Sequence, residues 1–202
     1  MSLIGLEGYL INVQVDVSAG IPCWEIVGLP DTSVKESKER VRTAVKNSGY
    51  ELLSRRVVVN LAPADIKKEG SFFDLPIAIG TLMCCEEIKE NQIEDTVFVG
   101  ELSLDGTINK INGVLPMCIE ARKLGMKKIV VPIQNMKEAS IVKDIEVLGA
   151  HNLQEVVKYI NGEQELIKAE ENMLTSAQRQ TGINLDFSEV KGQENVKRAL
   201  EV

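Results

Sequence analysis

Ile11, Val13, Val15 and Val17 alternate with Asn12, Gln14 and Asp16. That period of two predicts a half-buried strand over 10–17. Gly20-Ile21-Pro22 punctuates the chain, and 23–27 reads as a second strand. Gly28-Leu29-Pro30-Asp31 stops it and offers Asp31 as a helix N-cap. Val34, Val41, Ala44 and Val45 then recur at helical spacing, and Gly49 is placed to end the helix in a left-handed cap. A β-branched run over 55–60 predicts a strand, followed by a long loop over 61–71 and an apolar helix from Asp74 through Met83. A strand is expected within 92–104, and Asp105-Gly106 signals a hairpin. The remaining pattern predicts a helix over 114–124 closed by Gly125, and a strand over 129–131 ending at Pro132. A short helix or turn over 136–142, a strand over 145–148 and a helix over 153–160 follow. Paired strands come first and strand–helix units later, which predicts an α/β (α+β) domain over 1–160.

The pattern changes at Asn161-Gly162. Residues 161–185 are rich in Gln, Glu, Lys and Ser with little periodicity, the composition of a linker, with room for a helical piece over 163–172. Residues 186–202 begin a new pattern that breaks off at Val202, one or two turns into a helix starting at Glu194. The expectation is a chain cut inside a further module.

Composition narrows the function classes. The 202 residues are 44% hydrophobic and 26% charged, enough to bury a core without staples. The net charge, 23 basic minus 30 acidic or -7, argues against a nucleic-acid coat protein or a polybasic membrane binder. The charge is uneven: residues 1–70 hold nine Lys/Arg and nine Asp/Glu, and residues 71–202 hold fourteen and twenty-one. An anion-binding surface is therefore expected in the first third. No apolar run reaches the ~18 residues of a membrane span, and no secretory signal is visible. Cys23, Cys84, Cys85 and Cys118 form no Cys-x-x-Cys pair and are expected as buried thiols of a reducing cytoplasm, with no metal site. The single histidine, His151, leaves little room for a Ser-His-Asp centre.

Three segments could carry chemistry. In 57–76 a strand feeds a loop holding Asp65, Lys67, Lys68, Glu69, Gly70 and Ser71 before a helix opens. Such a loop could hold an anion on backbone N–H groups, or could simply be a capped helix start with solvated lysines. The second, Val99-Gly100-Glu101 through Ile108, reads as a hairpin. The third, Asp186-Phe187-Ser188-Glu189-Val190-Lys191-Gly192-Gln193, reads as a turn before a helix. No Gly-x-x-x-x-Gly-Lys-[Ser/Thr] occurs, so this chain lacks a phosphate-cradling P-loop and is not expected to hydrolyse ATP.

Taken together and in order, these motifs resemble the ComM/YifB family of magnesium-chelatase-like AAA+ ATPases. The resemblance rests on Gly5-Leu6-Glu7-Gly8, Ile26-Val27-Gly28-Leu29-Pro30-Asp31, Val34-Lys35-Glu36-Ser37 and Glu39-Arg40-Val41. It continues through Asn60-Leu61-Ala62-Pro63-Ala64-Asp65 to Asp74-Leu75-Pro76. It implies that residues 1–160 form a domain like the protease domain of Lon, of the ribosomal protein S five domain 2-like class, also similar to the C-terminal domain of the RadA recombination protein. It further implies that 186–202 start an AAA+ module in which Val190, Gly192 and Gln193 lie near the adenine. ATP and Mg2+ would then serve the full-length parent, a cytoplasmic homo-hexameric ring acting in DNA branch migration, and this chain would need no cofactor of its own.

The same resemblance permits a residue-level test. Lon-like peptidases carry their nucleophile in Lys-Asp-Gly-Pro-Ser-Ala-Gly; here the chain reads Lys68-Glu69-Gly70-Ser71-Phe72-Phe73-Asp74, which puts Phe72 at the serine position. Counting from Gly100-Glu101, Leu115 falls at the lysine position. A Ser-Lys mechanism needs a hydroxyl within reach of an amine of lowered pKa, and neither residue supplies one. The expectation is a non-catalytic domain, with Lys35, Lys38, Arg40, Arg42, Lys46, Lys67 and Lys68 as candidate DNA or partner contacts. Glu36, Glu39 and Glu51 interleave with them, so a solvated helix laced with ion pairs stays open. Two alternatives stay open too: a peptidase using Ser71 with Lys67, Lys68 or Lys110, and a module for oligomerisation or protein docking.

Overall fold

The computed structural model describes residues 1–4, 7–52, 54–88 and 93–169. The strand predicted over 10–17 is β3 (Asn12–Ser18), after two short strands, β1 (Ser2–Ile4) and β2 (Glu7–Tyr9), that pair antiparallel. Val13, Val15 and Val17 pack on the core while Asn12, Gln14 and Asp16 face solvent, as alternation requires. β4 (Cys23–Val27) leads into α1 (Thr32–Asn47) and then β5 (Arg56–Ala62). The sheet order is β3-β5-β4, with β3 antiparallel and β4 parallel to the central strand. A parallel pair needs a crossover, and α1 supplies it.

α1 is built as its sequence predicts. The Asp31 carboxylate accepts the N–H of Val34 at 2.8 Å. Val34, Ser37, Val41, Ala44 and Val45 form the buried stripe. Gly49, at φ 87, closes the far end, and Tyr50 N–H bonds back to the Val45 carbonyl at 3.2 Å. α2 (Asp74–Cys84) is apolar nearly all round because it is buried between α1 and β3. A Cβ on Gly80 would stand 2.7 Å from Val15 Cγ2, so the helix and strand touch at a point only glycine permits.

The second half holds β6 (Thr96–Phe98), the hairpin strands β7 (Glu101–Leu102) and β8 (Ile108–Asn109), α3 (Val114–Lys123), β9 (Lys128–Pro132) and α4 (Met136–Ala139). β10 (Glu146–Ala150), α5 (Leu153–Ile160) and β11 (Ile167–Lys168) complete it. The sheet order is β11-β10-β9-β6. Ile129 and Val131 face one core beneath α3 and α4, and Val130 faces the other, shared by α1, α2 and α5. Covered on both faces, β9 is a continuous apolar run.

Four expectations change. The single strand foreseen within 92–104 is two. After Val99, whose N–H still bonds the Val130 carbonyl of β9 at 3.1 Å, the backbone leaves the sheet, because Gly100 N–H bonds the Phe72 carbonyl at 3.1 Å and Leu75 N–H bonds the Gly100 carbonyl at 3.0 Å. Residues 163–169 hold no helix; β11 pairs antiparallel with β10, and Leu166 is buried, so the packed domain runs past 160. The rest of the expected linker and all of 186–202 lie outside the described residues. β1 and β2, three residues each, are too short to leave a period. Finally, only Cys118 of the four cysteines is buried; Cys84 is exposed, and Cys23 and Cys85 are half-buried.

Candidate functional site

The loop 63–73, the start of α2 and the β7–β8 hairpin meet through hydrogen bonds of Ser71 with Glu101, Phe72 with Gly100 and Asp74 with Leu102, around the position the resemblance assigns to a Lon-like nucleophile. Phe72 and Phe73 pack together, ring centroids 4.8 Å apart. Phe73 is fully buried, and Phe72 bridges the two cores. The side chain at the nucleophile position is thus packing material. Ser71, one residue earlier, donates its hydroxyl to Glu101, not to a lysine. Asn109 bridges Glu101 at 3.4 Å and Ser103 at 2.8 Å. A carboxylate can accept the serine proton, but among the described residues no lysine hydrogen-bonds Ser71 or Glu101.

Leu115, at the lysine position, is half-buried, and its backbone N–H bonds Glu138 at 3.2 Å. The loop before it is clamped by the buried Asn135, which accepts Ile111 N–H at 3.0 Å and donates to the Ile111 carbonyl at 2.8 Å. That reciprocal pair sets the direction in which α3 starts.

The lysines of the loop divide. Lys67 is exposed and paired with Glu69. Lys68 is fully buried and donates to the Pro63 carbonyl. Burial draws its ammonium below the ordinary lysine value, partly offset by Asp65. Lys68 is therefore withdrawn as a surface contact: its backbone bonds to Leu29 and Asp31, and those bonds carry the side chain inward.

Arg40 is withdrawn as well. Its guanidinium grips Asp74, Nε to Oδ2 at 2.7 Å and a terminal nitrogen to Oδ1 at 3.0 Å, and it also reaches the Ser33 carbonyl at 3.0 Å and Ser37 Oγ at 3.1 Å. Asp74 is fully buried and also accepts Leu102 N–H at 3.2 Å. Burial raises its carboxyl above the ordinary carboxylate range, against the pull of Arg40. The pair ties α1, α2 and the hairpin together. It is a structural ion pair: Nε and one terminal nitrogen are engaged inside the domain, and the other terminal nitrogen lies 3.9 Å from Glu36.

Lys35, Arg42 and Lys46 remain exposed on α1, with Lys38 half-buried. Lys38, Arg42 and Lys46 fall at four-residue steps on one stripe. Among the described residues no ion pair reaches them or Arg55; the recorded ion pairs of this region are Arg40 with Glu36 and Asp74, and Arg56 with Glu25. The ion-paired helix held open by the sequence is thus realised only around Arg40. Val190, Gly192 and Gln193 lie outside the described residues. No group of three or more His, Cys, Asp or Glu side chains suited to a metal occurs among the described residues. His151 is half-exposed beside Glu155, 3.3 Å away. No described helix is long and apolar enough to cross a membrane.

A family model described as subunit ChlI of Mg-chelatase matches residues 13–135, from the first core strand to the asparagine clamp. The chain belongs to the Mg-chelatase ChlI-like family. Within it, the chain is 38% identical over 200 residues to competence protein ComM of Haemophilus influenzae, covering 98% of this chain and 39% of that protein. It is 39% identical over 199 residues to YifB of Escherichia coli, covering 98% of this chain and 38% of that one. A match to Lon protease 2 of Bacillus subtilis, 28% identical over 174 residues and covering 76% of this chain and 30% of the protease, accords with the mixed α/β fold being Lon-like. The chain thus spans about two fifths of the length of the ComM and YifB relatives.

Sequence reasoning missed the role of Asp74. An aspartate opening an otherwise apolar helix was the available signal. It also passed over Trp24, whose place in a strand gave no hint that the strand is an edge.

Proposed function

We propose that this chain is a non-catalytic, Lon-like accessory domain of a magnesium-chelatase-like AAA+ ATPase that acts on DNA, and that it contributes part of the DNA path. The observation that carries the reading is the stripe Lys38, Arg42 and Lys46, joined by Lys35 and Arg55, without ion pairs among the described residues. Like charges at i,i+4 destabilise a helix slightly, a local cost that no ion pair of these residues offsets among the described residues. Phosphates do use such cations. The name of the ComM relative, a competence protein, is in keeping with work on DNA.

Catalysis would belong to the rest of the parent protein, where ATP and Mg2+ would bind and a homo-hexameric cytoplasmic ring would assemble. Support for the non-catalytic part is the aromatic packing of Phe72, the aliphatic Leu115, and the donation of the Ser71 hydroxyl to Glu101.

The test is binding of this chain to labelled single-stranded and four-way-junction DNA across a salt series, beside hydrolysis of an unfolded protein substrate. Salt-sensitive binding, weakened by Lys35→Glu and Lys46→Glu, with no hydrolysis, is expected. No DNA binding at low salt would overturn the DNA path in favour of a docking or ring-forming module. Hydrolysis lost in Ser71→Ala would overturn the non-catalytic reading.

A further inference from the structure

Beside the stripe lies a cleft lined by Trp24, Lys38, Glu39, Arg42, Ser54 and Arg55. Trp24 belongs to β4, an edge strand of its sheet, and stands in register with Val57 of β5. Val57 is buried on the face that the helices cover. The indole shares that face, but at an open edge it is only half-buried, so part of its surface forms cleft wall. Three cations and one carboxylate line the cleft with it, a local charge of +2 in a chain of net charge -7. None of the three cations is in an ion pair among the described residues. A half-buried indole at an open strand edge, in one cleft with three cations outside any ion pair among the described residues, combines the two kinds of group that single-stranded nucleic acids use: an aromatic ring for a base and charges for the backbone. A duplex hides its base faces in the stack, so an indole in a cleft offers it little.

We infer that the Trp24 cleft binds single-stranded DNA, one base stacking on the indole while Lys38, Arg42 and Arg55 take the flanking phosphates. This deepens the DNA-path reading and rests on it. Three phosphate contacts predict a slope of about -2 in log K against log salt, at about 0.7 per contact for single strands. Raising salt from about 50 to about 200 mM then weakens binding about 20-fold. Losing the stack weakens it about tenfold or more.

Trp24 is the single tryptophan of the chain, so its fluorescence reads this cleft alone. The probes are a fluorescein-labelled oligothymidylate of about twelve nucleotides, an abasic strand of equal length and the corresponding duplex. Fluorescein anisotropy reports binding and Trp24 emission, with unlabelled strands, reports stacking. The expected result is quenching by oligothymidylate and none by the abasic strand, which binds at least about tenfold more weakly, with the duplex also weaker. Arg42→Glu and Arg55→Glu, which keep the reporter, should abolish quenching and flatten the salt slope. Lys143→Glu, on the exposed loop before β10, should change affinity less than about twofold. Trp24→Ala, with its fold checked by circular dichroism, should weaken oligothymidylate and leave the abasic strand unchanged. If oligothymidylate binds with Trp24 emission unmoved, or if Lys143→Glu weakens binding as much as Arg42→Glu, the cleft is overturned while the DNA-path reading stands. If no strand binds at low salt, both fall.

Discussion

Replacing Arg40 by alanine should destabilise the domain by about 3 kcal/mol, chiefly by stranding Asp74. In the native protein the carboxylate has no exposed surface, and it holds both guanidinium contacts and Leu102 N–H. Without Arg40 it keeps the backbone bond and loses its countercharge. Removing one partner of a buried pair typically costs about 3–5 kcal/mol. The lower figure applies here, because Arg40 retains 22% exposure and water can enter the vacated channel. Asp74→Asn should cost less, about 1–2 kcal/mol, since the amide is neutral and the partly exposed guanidinium keeps its bonds to Ser33 and Ser37. The double variant should resemble Arg40→Ala or better, giving a coupling of about 1–2 kcal/mol by urea unfolding. The pH dependence has a definite sign. A carboxyl whose folded pKa is raised by burial binds its proton more tightly when folded, so it destabilises as pH rises through the carboxylate range. The Arg40→Ala deficit should therefore be largest near pH 7 and shrink as pH falls into the carboxylate range, as Asp74 takes up a proton in place of its lost partner. A deficit under about 1 kcal/mol that ignores pH and Asp74 would refute the reasoning and return Arg40 to the surface cations.

Other outcomes follow from the same packing. Gly80→Ala should destabilise by about 1–3 kcal/mol by overpacking against Val15, and adding Val15→Ala should recover part of that loss in denaturant unfolding. Asn135→Ala should cost about 1–3 kcal/mol, because both backbone groups of Ile111 lose their partner in a buried site, with faster amide exchange at 111–115 as the local readout. Burial pushes the Cys118 thiol up to about 12, so at pH 8 a thiol reagent should label exposed Cys84 and spare Cys118 until the protein unfolds. Between about pH 9 and 12 the unfolded chain ionises at Cys118 while the folded one does not, so stability should fall by up to about 1.4 kcal/mol per pH unit more in the wild type than in Cys118→Ala.

Local pattern determined the elements whose cause is local. Asp31 caps α1, Gly49 closes it, and α5 runs from Leu153 to Ile160 as its periodicity predicts. The motif order also carried the family and the Lon-like domain, since long motifs survive where single residues do not. At the site, Phe72 and Leu115 were legible as residue types that bring neither a hydroxyl nor an amine to the positions the resemblance assigns to the dyad.

Tertiary structure decided what depends on partners distant in sequence. Arg40 and Asp74 stand thirty-four positions apart, and nothing in a charge-rich helix marks which of its cations will be drawn inward. Lys67 and Lys68 are adjacent and alike in sequence, yet one is solvated and the other buried, because backbone bonds to Leu29 and Asp31 fix the direction of the loop. Strand order made β4 an edge and so left Trp24 half-open beside Lys38, Arg42 and Arg55. Hydrophobic period reports which side of an element is buried. It carries no information on which neighbour does the burying, and that choice separates a packed cation from an available one.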